Sequence, residues 1–377
     1  MATAIEQREM HRRKREPEPG ADIAGRLAVI WRELLGLEAL GYDDNYFDLG
    51  GDSSLAVQLF AQIERVFGVK LPLASLFDAP TVRQLAELIG QNSRGAAWSP
   101  LVSLQPAGSR PPLFLMHGAG GHVMIYRELT LRLGADQPVY GLQAPGLDGV
   151  SAPLQTVEEM AAMYVREMRR LQPRGPYFLG GYCGGGTIAY EAAQQLCQVG
   201  ERVALLALLD TSNWRLMSSP SLWGRAVHTA EQVNFHVANL LRLDAQGRAR
   251  FLKAKMRDLR LRGKVWRGRW SSGAHAQLRA LAAVWRANDE ACLRYAAKPY
   301  PGALIDFRPA RQYRAIRQPS LKWEALALGG QKVVILPVDP AGMLVEPFVA
   351  HLARALREAM DQAIATGAQG VANAQAV

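Results

Sequence analysis

The first part of the chain spaces its apolar residues as amphipathic helices do. From Ile23 onward, IAGRLAVIWRELLGL has apolar residues at intervals of three and four, and SSLAVQLFAQIERVFG repeats that spacing. A third pattern, TVRQLAELIG, follows Pro80 directly and ends on Gly90. Three or four helices in about 70 residues predict a small α-helical bundle, and we assign it to residues 22–91.

Further along, the apolar residues form short continuous runs, each followed by Gly, Asp or Pro. The runs lie in PLFLMHGAGG, PVYGLQAPG, PYFLGGYCGGG, VALLALLD and KVVILPV, with helical patterns between them. Strands that alternate with helices predict an α/β domain with a parallel sheet, which we assign to residues 112–365. Residues 92–111 are rich in Gly, Ser and Pro, which predicts a linker.

Three segments do not follow these patterns. Residues 214–319, before KVVILPV, predict a helical insertion rich in Lys and Arg. Residues 1–21 form a charged N-terminal tail. Residues 366–377 lack apolar periodicity, and we expect them to be disordered.

Composition and charge exclude several classes of protein. Apolar residues make up 49% of the 377 positions and charged residues 21%, as expected for a globular chain with two domains. The run VALLALL is far shorter than the roughly 20 residues that cross a bilayer, so we expect no membrane segment. Cys183, Cys197 and Cys292 have no metal-binding spacing, which predicts neither a metal site nor a disulfide framework and favours the cytoplasm.

The net charge of +10 is concentrated in one segment. Residues 214–270 alone carry a net charge equal to the whole excess, whereas residues 22–91 are acidic, with a net charge of −5. No nucleic-acid-binding motif accompanies the basic residues, so we expect no nucleic-acid partner. The insertion is interpreted either as a recognition surface for acidic partners or as a solvated helical face.

The motif DDNYFDLGGDSSLAVQLF, with LPLASLFDAPTVRQLAEL downstream, resembles the carrier domains of nonribosomal peptide and polyketide synthases. The resemblance implies that Ser53, after Gly50, Gly51 and Asp52, is the attachment site of a 4'-phosphopantetheine cofactor. A serine at a helix start is also an N-cap, and a phosphodiester is stabilised there by backbone N–H groups and the helix dipole. The purely structural interpretation is that Ser53 only caps the helix.

From Pro112 onward the chain resembles the type I thioesterase domains of such synthases, which are α/β-hydrolases with a helical lid. The sequence GYCGG has the outline of a nucleophile elbow with a cysteine at its centre. The resemblance implies that Cys183 is the nucleophile and that Asp210, 27 residues later, is the acid of a catalytic triad. It implies an oxyanion hole formed by the backbone N–H groups of Ala119, in HGAGG, and Gly184.

The C-terminal end departs from the thioesterase pattern. In that family the catalytic histidine stands three residues before a Met-Leu pair, and here the corresponding residue is Pro340. His117 is expected to shape its turn, and His351 to have a role in helix packing or at the surface. His228 and His236, eight residues apart in the insertion, are further candidates for the missing base.

The chemistry of the thiol leaves two functions open. A free thiol has a pKa near 8.5, and a helix N-terminus lowers it, so Cys183 is expected to accept an acyl group without a base. Hydrolysis would be slow, because general-base assistance to water is worth roughly 10² to 10⁴ in rate. The first hypothesis is therefore an acyltransferase or cyclase fused to its carrier, and the second is a carrier with a catalytically degenerate domain used for docking or structure.

The first hypothesis implies a set of partners. A phosphopantetheinyl transferase would modify Ser53, and adenylation or condensation proteins of an upstream synthetase would load an acyl or peptidyl thioester in trans. Hydrolysis, cyclisation and transfer to a thiol or amine remain open as the route of release.

Overall fold

The computed structural model describes residues 19–91, 98–211, 222–245, 248, 272–311 and 323–375. They fall into two compact units. The first comprises Met1–Trp98 with Ser271–Gln277, and the second comprises Ser99–Trp270 with Leu278–Val377.

The first unit is a bundle of helices, as the apolar spacing predicts. Its core contains Leu27, Leu55, Leu59 and Leu85, all fully buried, since each lies on the apolar face of its helix. The helices are α1 (Pro19–Leu35), α2 (Ser53–Phe67), α3 (Ser75–Asp78) and α4 (Val82–Gln91). Helix α1 begins at Pro19, three residues before the predicted start of the domain, because proline is well suited to a first helical turn.

The second unit is built on one sheet. Its strands are β1 (Leu101–Gln105), β2 (Leu113–Met116), β3 (Val139–Leu142), β4 (Tyr177–Tyr182), β5 (Val203–Leu209), β6 (Leu304–Pro309) and β7 (Gln331–Leu336). The strand order is β1-β3-β2-β4-β5-β6-β7. Strand β1 runs antiparallel to β3, and the other pairings are parallel. The predicted α/β class is therefore confirmed.

Two of these strands correct the predicted boundaries. Strand β1 lies inside the predicted linker. The sequence did not predict this strand, because an edge strand of five residues between Pro- and Gly-rich segments gives a weak signal. Strand β6 lies inside the predicted insertion, where Asp306 and Arg308 interrupt its apolar residues. The insertion therefore ends before Leu304, and the predicted boundary at residue 319 is wrong.

The second unit also contains seven of the described helices, several of which pack on the sheet. They are α5 (Arg127–Leu133), α6 (Val157–Leu171), α7 (Gly184–Gln198), α8 (Leu222–Arg242), α9 (Ser272–Arg294), α10 (Trp323–Leu326) and α11 (Val349–Gln375). Helix α9 belongs to this unit from Leu278 onward. Helix α11 continues to Gln375, so the disorder predicted from residue 366 is wrong, since the Ala- and Gln-rich sequence favours helix.

Much of the basic segment, residues 249–270, lies outside the described residues. Among the residues that are described, no helix is long and apolar enough to cross a membrane.

Candidate functional site

The carrier motif forms a tight turn into helix α2. Asp52 has an extended backbone, and its Oδ1 accepts a hydrogen bond from the N–H of Leu55 at 2.9 Å. Asp52 is therefore the N-cap, and Ser53 is the first helical residue, which corrects the interpretation of Ser53 as the cap. A carboxylate accepts this hydrogen bond as a hydroxyl would, so the cap does not require the Ser53 hydroxyl.

The two glycines before Asp52 are explained by the backbone and by one ring. Gly50 has a φ of 86°, a region that favours glycine. A Cβ on Gly51 would lie 2.3 Å from the ring of Tyr46, whose hydroxyl donates to the Asp52 carbonyl at 3.0 Å. The turn therefore presents Ser53 at the start of a 15-residue helix, where a phosphodiester is stabilised by backbone N–H groups. These residues fit the phosphopantetheine group.

Cys183 lies on a strained turn between β4 and α7. Its φ of 56° and ψ of −121° are uncommon for a residue with a side chain. The Cys183 N–H donates to the Leu209 carbonyl at 2.9 Å, and its carbonyl accepts from Gly186 N–H at 3.1 Å. A Cβ on Gly181 would lie 2.2 Å from the Gly185 backbone. The glycine-rich sequence therefore permits the turn that a nucleophile elbow requires.

The loop after β2 packs beside this elbow. The buried Tyr126 hydroxyl donates to the Met116 carbonyl at 2.5 Å and accepts from the Tyr182 N–H at 2.8 Å. It thereby ties the end of β2 to the residue before Cys183. The predicted oxyanion-hole residues, Ala119 and Gly184, lie on these two adjacent segments, and their role stays a prediction.

The surroundings of Cys183 disfavour the thiolate. The side chain keeps some exposure, yet burial raises the pKa of its thiol to about 12. A backbone hydrogen bond from Gly184 lowers the pKa, but the nearby charges of Asp210 and Asp289 raise it further. The expectation that the helix N-terminus lowers the pKa of this thiol below about 8.5 is therefore wrong, because desolvation outweighs the helix N-terminus.

Asp210 follows β5 directly. Its backbone has a φ of 45°, and its N–H donates to the Phe307 carbonyl at 2.8 Å. Burial raises the pKa of its carboxyl to about 6, with a further increase from Asp306 and an opposing effect from Arg308. Since the Cys183 N–H donates to the carbonyl of Leu209, the residue before Asp210, the structure brings these two predicted residues to neighbouring strand ends.

Pro340 occupies the position where a histidine is expected. It is buried and begins a 3₁₀ turn, Pro340–Gly342. The preceding Asp339 forms ion pairs with Arg311 at 2.7 Å and with Arg242 at 3.5 Å. This turn is fixed by charges that belong to other elements, and its proline offers no proton acceptor.

The histidines of the described residues occupy varied environments. His117 is buried edge-on to Tyr164, its Nδ1 lies 2.7 Å from the Gly118 carbonyl, and burial lowers its pKa to about 4. These contacts support the predicted structural role. Burial likewise lowers the pKa of His122 to about 4. His236 on α8 and His351 on α11 are half-buried, and the side chain of His228 lies outside the described residues.

Helix α9 brings residues to the site that the sequence did not identify. The buried Asn288 donates from Nδ2 to the Ala119 carbonyl at 2.9 Å. Cys292 Sγ lies 3.9 Å from the Gly184 carbonyl, and Trp285 Nε1 donates to Asp289 Oδ2 at 3.0 Å. Their spacing of three and four residues in VWRANDEACLR was the available signal.

Comparisons with known proteins agree with both parts of the site. Residues 25–89 match the family of the phosphopantetheine attachment site, and residues 111–260 match the family of the thioesterase domain. A dimodular nonribosomal peptide synthase of Bacillus subtilis is 42% identical over 203 residues, or 52% of this chain. Indigoidine synthase of Dickeya dadantii is 40% identical over 198 residues, again 52% of the chain.

Longer matches include both units. Chondramide synthase of Chondromyces crocatus is 29% identical over 361 residues, or 89% of this chain. A solved four-domain nonribosomal peptide synthetase, bound to AMP and glycine, is 26% identical with a TM-score of 0.57. That match covers 90% of this chain and 26% of the solved one. The chain spans only 8%, 13% and 9% of the three curated relatives, in the order given.

Proposed function

Residues 25–89 belong to the phosphopantetheine attachment family and residues 111–260 to the thioesterase family, and on this premise we propose an acyl-transferring didomain of nonribosomal peptide synthesis. An acyl or peptidyl group carried at Ser53 passes to Cys183 and is then released. The strained turn that presents the Cys183 thiol at the end of β4, beside Asp210, is the observation that supports this function most strongly.

In this proposal, Ser53 holds the phosphopantetheine through its side-chain oxygen. Bound phosphopantetheine supplies a thiol that carries an acyl or peptidyl group as a thioester. Asp52 caps the helix independently of Ser53, so modification of the serine leaves the helix start intact. The proposed partners are a phosphopantetheinyl transferase and the synthetase modules that provide the acyl group. The free thiols of Cys183, Cys197 and Cys292 support a reducing compartment such as the cytoplasm.

Cys183 acts as the proposed nucleophile. Its Sγ attacks the acyl carbon, the bond from that carbon to the departing sulfur breaks, and the thiol proton ends on the departing sulfur. The carbonyl oxygen becomes an oxyanion, and the N–H groups of Ala119 and Gly184 are the proposed donors to it. Because burial raises the pKa of Cys183 to about 12, the proton must leave as the sulfur attacks rather than beforehand.

Release from Cys183 is proposed to be the slow step. Pro340 provides no imidazole to carry a proton between Asp210 and an attacking group. Water needs general-base assistance more than a thiol or an amine does. Transfer to water therefore requires a base other than residue 340, whereas transfer to a thiol, an amine or an intramolecular nucleophile depends less on one.

A second candidate is a carrier joined to a degenerate thioesterase domain that serves for docking or structure. The observation that favours it is the combination of the buried Pro340 with a thiol that resists ionisation. In that case Cys183 would receive no acyl group.

Loading the full chain separates the two candidates. Incubation with octanoyl-coenzyme A and a broad-specificity phosphopantetheinyl transferase should add an octanoyl-phosphopantetheine group at Ser53. Intact mass and peptide mapping should show it in the parent and in Cys183→Ala, but not in Ser53→Ala. Release of octanoate should slow in Cys183→Ala. Modification of Ser54 instead would contradict the carrier assignment, and unchanged release in Cys183→Ala would favour the docking role.

A further inference from the structure

Helix α9 crosses the two segments that form the proposed catalytic centre. Asn288 contacts the Ala119 carbonyl, and Cys292 Sγ lies 3.9 Å from the Gly184 carbonyl. A Cβ on Gly120 would lie 3.7 Å from the Trp285 ring. Residues 285, 288 and 292 therefore lie on one helical face directed at the oxyanion loop and the elbow.

Asp289 lies on this same face. It is four residues after Trp285 and three before Cys292, so it occupies the helical turn between two residues in contact with the centre. The side chain is half-buried, and its charge acts on the thiols of both Cys183 and Cys292. The contacts of helix α9 and the electrostatic effect on Cys183 therefore both indicate that Asp289 lies near the nucleophile.

The surroundings of Asp289 suit a base that works beside an acyl chain. It lines an open cleft of about 510 Å³ along α9, together with the apolar side chains of Leu281, Ala282 and Trp285 and the charged side chains of Arg286 and Glu290. The indole N–H of Trp285 fixes one carboxylate oxygen at 3.0 Å, and a carboxylate has a second oxygen that can accept a proton. Burial raises the pKa of the Asp289 carboxyl, which makes it a stronger base than an exposed aspartate.

We infer that Asp289 is the general base that takes the place of the histidine missing at position 340. The inference rests on the proposed function, because it requires an acyl group on Cys183. A water molecule attacks the acyl carbon, and its proton moves to Asp289. The bond from that carbon to Cys183 Sγ then breaks, and Asp289 returns the proton to the sulfur. In the net reaction, the thioester and water are converted to a carboxylic acid and the free thiol.

Asp289 is distinguished here from the other carboxylate of the centre. The backbone of Asp210 is tied to β6, and Asp306 and Arg308 of that strand act on its carboxyl. Asp289 instead lies on α9, where it lines an open cleft beside Trp285. It therefore lies on the helix that contacts both the oxyanion loop and the elbow.

Single-turnover deacylation of the full chain tests this inference. Cys183 is first acylated with octanoyl-N-acetylcysteamine thioester, which bypasses Ser53. Excess reagent is removed, and loss of the octanoyl mass is followed by intact-protein mass spectrometry. Asp289→Asn should slow the loss by about 10²-fold, the lower end of what a general base supplies. The amide oxygen can still accept from Trp285, so this variant should remain folded.

Two further variants separate a base from a structural residue. Glu167→Gln removes the same charge from helix α6, outside this cleft, where the carboxylate pairs with Arg170 at 2.5 Å, and should leave the rate unchanged. In Asp289→Ala, added formate should increase the deacylation rate at least tenfold, since a small carboxylate can occupy the vacated position. A slow variant that formate does not accelerate would overturn the role as a base.

The outcomes also separate this inference from the proposed function. If the parent chain is acylated at Cys183 and Asp289→Asn deacylates as fast, the base assignment is wrong and the nucleophile stands. If the parent chain forms no adduct at Cys183, the proposed function fails, and the role of Asp289 fails with it.

Discussion

The electrostatics of Asp210 predict that removing its charge stabilises the protein. In the folded state the carboxyl has a pKa of about 6, against 3.8 for the unperturbed group. A raised pKa means that folding disfavours the ionised form. The destabilisation therefore develops as the pH rises from the unfolded value toward the folded one, and remains constant above it. At neutral pH, Asp210→Asn should relieve it.

The magnitude follows from the size of the shift. Roughly two pKa units correspond to about 3 kcal/mol at 1.36 kcal/mol per unit. Asp210 keeps some exposure, and solvent screening reduces the effect, so we expect about 1–3 kcal/mol at pH 7.5. At pH 4.5 less than about half of this should remain, because the folded carboxyl is already protonated. Asparagine tolerates the φ of 45°, so the turn should be preserved.

Urea unfolding at the two pH values checks this prediction. Limited proteolysis during the titration can report the second unit separately from the helical bundle. Asp361→Asn is a suitable control, because its carboxylate is half-exposed and pairs with Arg110 at the surface. The reasoning would be refuted if Asp210→Asn lowered the free energy of unfolding at pH 7.5, or changed it equally at both pH values.

Two other substitutions test how the elbow is held. Tyr126→Phe leaves two buried backbone groups unpaired, which should cost about 2–4 kcal/mol by urea unfolding. Tyr164→Phe should cost little, because within the described residues that buried hydroxyl has no hydrogen-bond partner. Gly186→Ala places a Cβ 1.9 Å from Thr211 Oγ1 and should cost about 3 kcal/mol, the upper end for overpacking. Adding Thr211→Ala should recover part of that loss. If the double variant instead lost the sum of the two single-variant free energies of unfolding, the proposed clash would be contradicted.

Much of the fold could be predicted from the sequence, because long apolar periods report directly on buried faces. Strands β1 and β6 were not predicted, because neither contains a long apolar run. The first is a short edge strand, and the second carries Asp306 and Arg308, whose ion pair at 2.6 Å is visible only in three dimensions. Local patterns do not report such compensation.

The candidate site was predictable where motifs are local. The turns at Ser53 and Cys183 follow from glycines a few residues away. The state of the Cys183 thiol was not predictable, because burial depends on how other elements pack around it. Asp289 is about a hundred residues from Cys183 in sequence, and only the packing of α9 brings it to the elbow.

The chemical state of Cys183 after acyl loading tests the central claim most directly. The full chain is loaded at Ser53 with an octanoyl-phosphopantetheine group, digested at low pH, and the peptide containing Cys183 is weighed at successive times. The account predicts an octanoyl adduct on Cys183 that accumulates and then decays, and that is absent from Ser53→Ala. A peptide that stays unmodified while octanoate is released at the parent rate from Cys183→Ala would contradict the account.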